Sequence, residues 1–185
     1  MRLILLIVPA LTACHAQPAG GAVCKIAFLL PETKTARYET QDLPNFRRQL
    51  TELGFTEKNL IYNNANQDAA TQQQQAEAAL TNGAVVMVLD PVDSNAAAKM
   101  ADLAKSKNVP VISYDRLING SDGVSYYISF DNELVGKLQG ETLLAALQKL
   151  GKTNTPTPTV VMINGSPTDN NASLFKRGAH AVLDG

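Results

Sequence analysis

Tryptophan is absent from this 185-residue chain, and cysteine and histidine occur twice each. Five Tyr and five Phe bring the aromatic share to only 5%. Two cysteines, Cys14 and Cys24, are too few for a disulfide framework or a cysteine zinc site, and His15 and His180 stand in no ligand spacing. No metal and no other cofactor is expected. An excess of one charge is missing too: 16 basic residues face 17 acidic ones, giving a formal net charge of -1 with no long block of either sign. A nucleic-acid surface gathers basic residues on one face, so nucleic acid is not an expected partner. Nor does the balance call for a strongly charged ligand. Long hydrophobic runs are lacking as well. Leu3 to Leu11, broken by Pro9, would span about 14 Å as a helix, far short of the ~30 Å hydrocarbon core of a bilayer.

What the N-terminus does carry is a short positive start, Met1-Arg2, then the apolar run, then Leu11-Thr12-Ala13-Cys14. That order reads as an export signal over residues 1–13. Leu11-Thr12-Ala13-Cys14 also resembles the bacterial lipobox, which implies lipidation of Cys14 and a membrane anchor. Each buried methylene of such a chain adds ~0.8 kcal/mol of membrane affinity. Cleavage after Ala16, leaving a free periplasmic protein, is the rival. Retention of both cysteines would permit a Cys14–Cys24 disulfide, which lipidation forbids. Residues 14–24 are a linker, rich in small residues around Pro18, Gly20 and Gly21.

Beyond the linker, strand and helix patterns alternate. Apolar runs at Val23–Leu30 and Val85–Leu89 predict strands buried on both faces, with further strands at Leu60–Tyr62, Val109–Tyr114, Tyr126–Phe130 and Val160–Ile163. Between them, Leu43–Leu53 spaces Phe46, Leu50 and Leu53 on one helical face and stops at Gly54. Asp68 caps a helix through Leu80, whose Gln72–Gln75 run reads as solvated surface. Helices are also predicted over Ser94–Lys107, with Ala98, Leu103 and Ala104 inward, from an Asp131-Asn132 cap to about Leu150, and over Asp169–Leu183. Gly151–Thr159 is a surface loop. Such alternation means βαβ units and a parallel sheet with helices on both faces, an α/β fold.

Open α/β sheets bind ligands at the carboxyl ends of their strands. Those ends carry Arg37 and Tyr38, then Asp90 and Asp93, then Asp115 and Arg116, and finally Ser166, Asp169, Asn170 and Asn171. Carboxylates accept from hydroxyls, guanidinium groups donate in a planar fork, and amides do both, a set suited to a neutral polyhydroxylated ligand. Blander roles exist for several of them. Asp131 and Asp169 are placed to cap helices, Asp90 before Pro91 suits a turn, and Asp115-Arg116 alone would make a surface ion pair worth under ~1 kcal/mol.

Asp115-Arg116-Leu117-Ile118-Asn119, Tyr127-Ile128-Ser129-Phe130-Asp131-Asn132-Glu133 and Gly165-Ser166-Pro167-Thr168-Asp169-Asn170-Asn171-Ala172 resemble the periplasmic xylose-binding proteins of ABC transporters. The resemblance runs from about Lys25 to the last residue. It implies a two-lobed, type I periplasmic-binding-protein fold, with a first α/β lobe over 25–130 and an incomplete second lobe over 131–185. It implies sugar contacts from Arg37, Asp115 and Arg116 on one wall and from Asp169 and Asn171 on the other. Tyr38 stands where the family has a Trp that stacks on the sugar. The expected protein is a monomer that performs no catalysis. It sits in the periplasm or on the outer face of the membrane, held there through Cys14, and passes a monosaccharide, D-xylose or a related aldose, to an ABC transporter permease.

Three other readings compete. A dinucleotide-dependent enzyme would need G-x-G-x-x-G after the first strand, where Leu30-Pro31-Glu32-Thr33 stands. The sensor domain of a sugar-responsive repressor would follow a helix-turn-helix, not an export signal. A periplasmic sugar sensor for a signalling partner shares every feature above.

Overall fold

The computed structural model describes residues 23–153 and 159–184. The expected export signal, Cys14 and most of the expected linker lie outside the described residues, and none of the described cysteines is free. No helix of the described chain is long and apolar enough to cross a membrane.

Five strands form one parallel sheet: β1 (Lys25–Leu30), β2 (Leu60–Asn64), β3 (Ala84–Leu89), β4 (Val111–Tyr114) and β5 (Val124–Ile128), in the order β2-β1-β3-β4-β5. Successive side chains of β1 point to opposite faces and build two cores. Ala27 and Leu29 join Met87, Leu89 and Val111 beneath α2 (Ala69–Thr81) and α3 (Ala98–Ser106). Phe28 and Leu30 join Val88, Tyr38 and Leu43 beneath α1 (Leu43–Glu52), which continues from a π-helical turn over Tyr38–Asp42. Phe28 stacks on Phe46 with ring centroids 4.3 Å apart, and such pairs add ~0.5–1.5 kcal/mol beyond burial.

The α/β reading therefore holds, with local corrections. Leu53 is 71% exposed, because α1 buries its first turn rather than its last. In α3 the inward stripe is Met100, Ala101 and Ala104, with Ala97 before it, and Ala98 and Leu103 sit at its edge. Gln72 is fully buried, not solvated: Asp90 and Val92 supply it with backbone partners, described below. Val160–Ile163 is not a strand. No described strand lies beside it to share a ladder, so its backbone stays irregular, and Val161 and Ile163 are 81% and 93% exposed.

After β5 come α4 (Asn132–Lys149) and α5 (Asn170–Leu183), which pack against each other. They cross at Gly136 and Gly178, where no side chain fits. A Cβ on Gly178 would lie 2.0 Å from the Glu133 carbonyl oxygen, and one on Gly136 2.1 Å from that of Phe175. Gly178→Ala is expected to cost about 1–2 kcal/mol, the forced helix displacement outweighing the ~1 kcal/mol that Ala returns in helix propensity. Urea unfolding checks this, and an unshifted midpoint would show that the crossing has slack.

A polar cleft at the carboxyl ends of the strands

The chain leaves each of β1, β3 and β4 at the same edge of the sheet, and the reversal of strand order between β1 and β3 opens a crevice there. After β1, the Glu32 carboxylate is held by the backbone N–H groups of Lys34 and Thr35, the latter at 3.0 Å. These bonds and the Arg116 charge outweigh burial and hold Glu32 below the ordinary glutamate range. After β3, the buried amide of Gln72 clamps the turn: Nε2 donates to the Asp90 carbonyl and Oε1 accepts from the Val92 N–H, both at 2.8 Å. After β4, Asp115 adopts φ +59°, a left-handed conformation rare outside glycine. Strained backbone of this kind collects at binding sites.

Arg37, Tyr38, Asp115, Arg116, Asp169 and Asn171 all meet in this crevice. Arg37 Nη2 lies 2.7 Å and the Tyr38 hydroxyl 2.8 Å from Asp115 Oδ2. Asn171 Nδ2 donates to the Asp115 carbonyl at 3.2 Å, and Asn132 donates to Asn171 Oδ1 at 3.0 Å. Arg116 Nε lies 3.1 Å from Asp169 Oδ2, without the alignment of a hydrogen bond, and 3.8 Å from Asp90 Oδ1. Its Nη2 lies 3.8 Å from Glu32 Oε1. Asp169 also caps α5 by accepting from the Asn171 N–H at 2.8 Å, so capping and the ion pair share one carboxylate. Asp131 only caps α4, accepting from Leu134.

Tyr38 corrects one expectation. Its residue is 2% exposed and its ring belongs to the core beneath α1, so no face is open to stack on a sugar. It reaches the crevice through its hydroxyl. Burial raises the phenol far above its ordinary value, so it stays a donor to Asp115.

Asp90, Glu32 and Ser94 extend the set. Asp90 is fully buried beside Arg116, so it is more than a turn residue, although a carboxylate directly after a buried strand was the available signal. Ser94 ties the two sides together: its N–H donates to the Thr168 carbonyl at 2.9 Å, and its Oγ accepts from the Asn170 N–H at 3.2 Å. Next to this network lies a cavity of about 220 Å³ lined by Pro31, Glu32, Gln67, Val92, Arg116, Ser166 and Thr168. It is smaller than the roughly 300–1,000 Å³ of sites for drug-sized ligands. A larger groove of about 340 Å³, between α4, α5 and Val160–Gly165, is mostly apolar and lacks a comparable cluster of charged side chains. No group of three or more His, Cys, Asp or Glu suited to a metal occurs among the described residues.

Comparison with known proteins identifies the family of this chain. Residues 26–185 match the family model described as a periplasmic binding protein domain. The chain is 32% identical over 171 residues to the D-xylose-binding periplasmic protein of Escherichia coli, covering 92% of this chain and 46% of that protein. It is 35% identical over 159 residues to the multiple sugar-binding periplasmic protein of Azospirillum brasilense, covering 85% and 43%. An ABC transporter solute binding protein from Clostridium phytofermentans, solved with bound β-D-glucose, superposes with a TM-score of 0.76 at 34% identity, over 86% of this chain and 47% of that one. The chain thus spans about half the length of the relatives it matches. The resemblance to the periplasmic xylose-binding proteins holds along the described sheet and α5. This chain belongs to the periplasmic binding protein family and has its type I fold.

Proposed function

We propose that this chain is the ligand-binding component of a sugar transport system, exported to the periplasm, where it captures a neutral monosaccharide and presents it to a membrane permease. The observation that carries the reading is the convergence of Arg37, Asp115 and Arg116 with Asp169 and Asn171 from the α5 side. Carboxylates, guanidinium groups and an amide in one cleft match the alternating donors and acceptors of a sugar's hydroxyls. D-xylose is the favoured ligand and D-glucose the next, in line with the names of the similar proteins. Glu32, Asp42, Asp90, Asp115 and Asp169 together outnumber Arg37 and Arg116, which disfavours sugar acids.

Saturation-transfer NMR, which registers weak as well as tight binding, tests the function. D-xylose or D-glucose should give signals that excess of the other suppresses, L-arabinose and D-ribose weaker ones, and D-glucuronate none. Asn171→Ala should weaken binding roughly tenfold, the worth of a hydrogen bond to one hydroxyl. Silence with all four neutral sugars would defeat the proposal.

A further inference from the structure

Two complementary groups at the cleft are buried and unmatched. Neither carboxyl oxygen of Asp90 has a hydrogen-bond partner, and the Arg116 Nε–H has none either. They lie 3.8 Å apart, too far for a direct hydrogen bond. A hydroxyl serves both at once, accepting from the Nε–H and donating to the carboxylate.

Every charged or titratable neighbour of Asp90 leaves it short of compensation. From the β4 end, Arg116 is shared with Asp169 and Glu32, while Asp115 is a like charge. From the turn before α1, Tyr38 spends its one proton on Asp115. From the start of α5, Asp169 is a second like charge. Gln72 bonds the backbone of Asp90, not its side chain. Burial above all, then the Asp115 charge, push the Asp90 carboxyl well above the aspartate range, against the pull of Arg116 and of the nearby Tyr38 hydroxyl.

We infer that Asp90 is a further ligand-contacting residue that carries a proton while the cleft is empty and loses it to solvent when a ligand hydroxyl bridges its carboxylate to Arg116 Nε, so that sugar capture releases a proton. This rests on the sugar-binding reading. Asp90 is sealed in the present arrangement, so the contact follows parting of the two sides that Ser94 joins to Thr168 and Asn170. The sign follows from linkage. The ligand favours the charged form, so affinity rises with pH, by up to tenfold per unit, until the empty site itself loses the proton.

Infrared spectroscopy of the full chain at about pH 6, well above the ordinary aspartate value of ~3.9, reads the proton directly. The wild type should show the C=O stretch of a protonated carboxylic acid, and Asp90→Asn should lack it. Asp90→Glu, in which that band shifts, replaces the Asn variant if the latter fails to fold. Saturation with D-xylose or D-glucose should remove the band, and calorimetry in buffers of different ionisation heat should return about one proton released per sugar. Absence of the band, its persistence in Asp90→Asn, or a band unchanged while NMR shows sugar bound would each overturn the inference. A band present with no sugar bound in NMR would instead fail the sugar-binding reading, and the coupling with it.

Discussion

Arg116→Ala should destabilise the protein by about 3–5 kcal/mol near neutral pH, the cost of breaking a buried ion pair from one side. The Arg116 side chain is 12% exposed and is the cation that Asp90, Asp169 and Glu32 share. Without it, the buried Glu32 and Asp90 and the partly buried Asp169 lose their shared cation, and whichever of them is charged must stay so in a poor dielectric or take up a proton. Glu32 is held below the ordinary glutamate range, so the stability its pairing with Arg116 contributes is present above its unfolded value and is lost as acid protonates it, whereas Asp169, raised by burial, takes up its proton at higher pH and gives up its share of the pairing first. The loss on substitution should therefore shrink at about pH 3. Arg116→Lys should recover little, because one compact ammonium does not reach three carboxyl groups lying in different directions. Urea unfolding across pH measures all of this, and a loss under ~1 kcal/mol at neutral pH would reduce Arg116 to an ordinary surface ion pair.

Asp90→Asn is expected to act in the opposite direction and stabilise the chain. The Asp90 carboxyl is raised in the folded state, by burial first and by Asp115 second. A raised carboxylic acid binds more protons folded than unfolded, so its contribution falls as pH rises above the unfolded value of ~3.9 and levels off past the folded one. Between those limits the Asn variant should gain up to ~1.4 kcal/mol per pH unit over wild type. Near the lower limit the two should unfold alike. Combined with Arg116→Ala, the Asn substitution should restore part of the loss, because it removes one of the three stranded carboxyl groups; independent additivity would show that the two residues are not coupled. A variant no more stable than wild type at about pH 7 would mean that Asp90 is charged and compensated.

The two substitutions also separate stability from function. A site that buries a carboxyl group and holds it protonated gives up folding free energy near neutral pH for a group available to a ligand, and binding residues are where such local conflicts concentrate. Arg116→Ala should lose both stability and sugar, whereas Asp90→Asn should gain the first while losing the pH dependence of the second.

Much of the fold was legible from residues one to four apart. The β1 and β3 runs, the caps at Asp68, Asp131 and Asp169 and the stop at Gly54 depend on local periodicity and on side chains that bond the next turn of backbone. The residues at the strand ends were legible for the same reason, since a parallel sheet delivers them to one edge wherever each strand stops. What tertiary structure alone decided is which of those groups compensate one another. Gln72 reads as one of four solvated glutamines until the crossover places it against Asp90, 18 positions away. Tyr38 reads as an open aromatic ring until α1 presses it into the core. Val160–Ile163 has the composition of a strand, but a strand exists only where a neighbour completes its hydrogen bonds. Asp90 reads equally as a turn residue and as a polar group at a strand end, and only the packing of distant segments around it buries both its oxygens without a matched partner. Local sequence determines hydrogen bonds within a turn of chain; burial and charge balance are sums over everything that folds nearby, and no short stretch contains them.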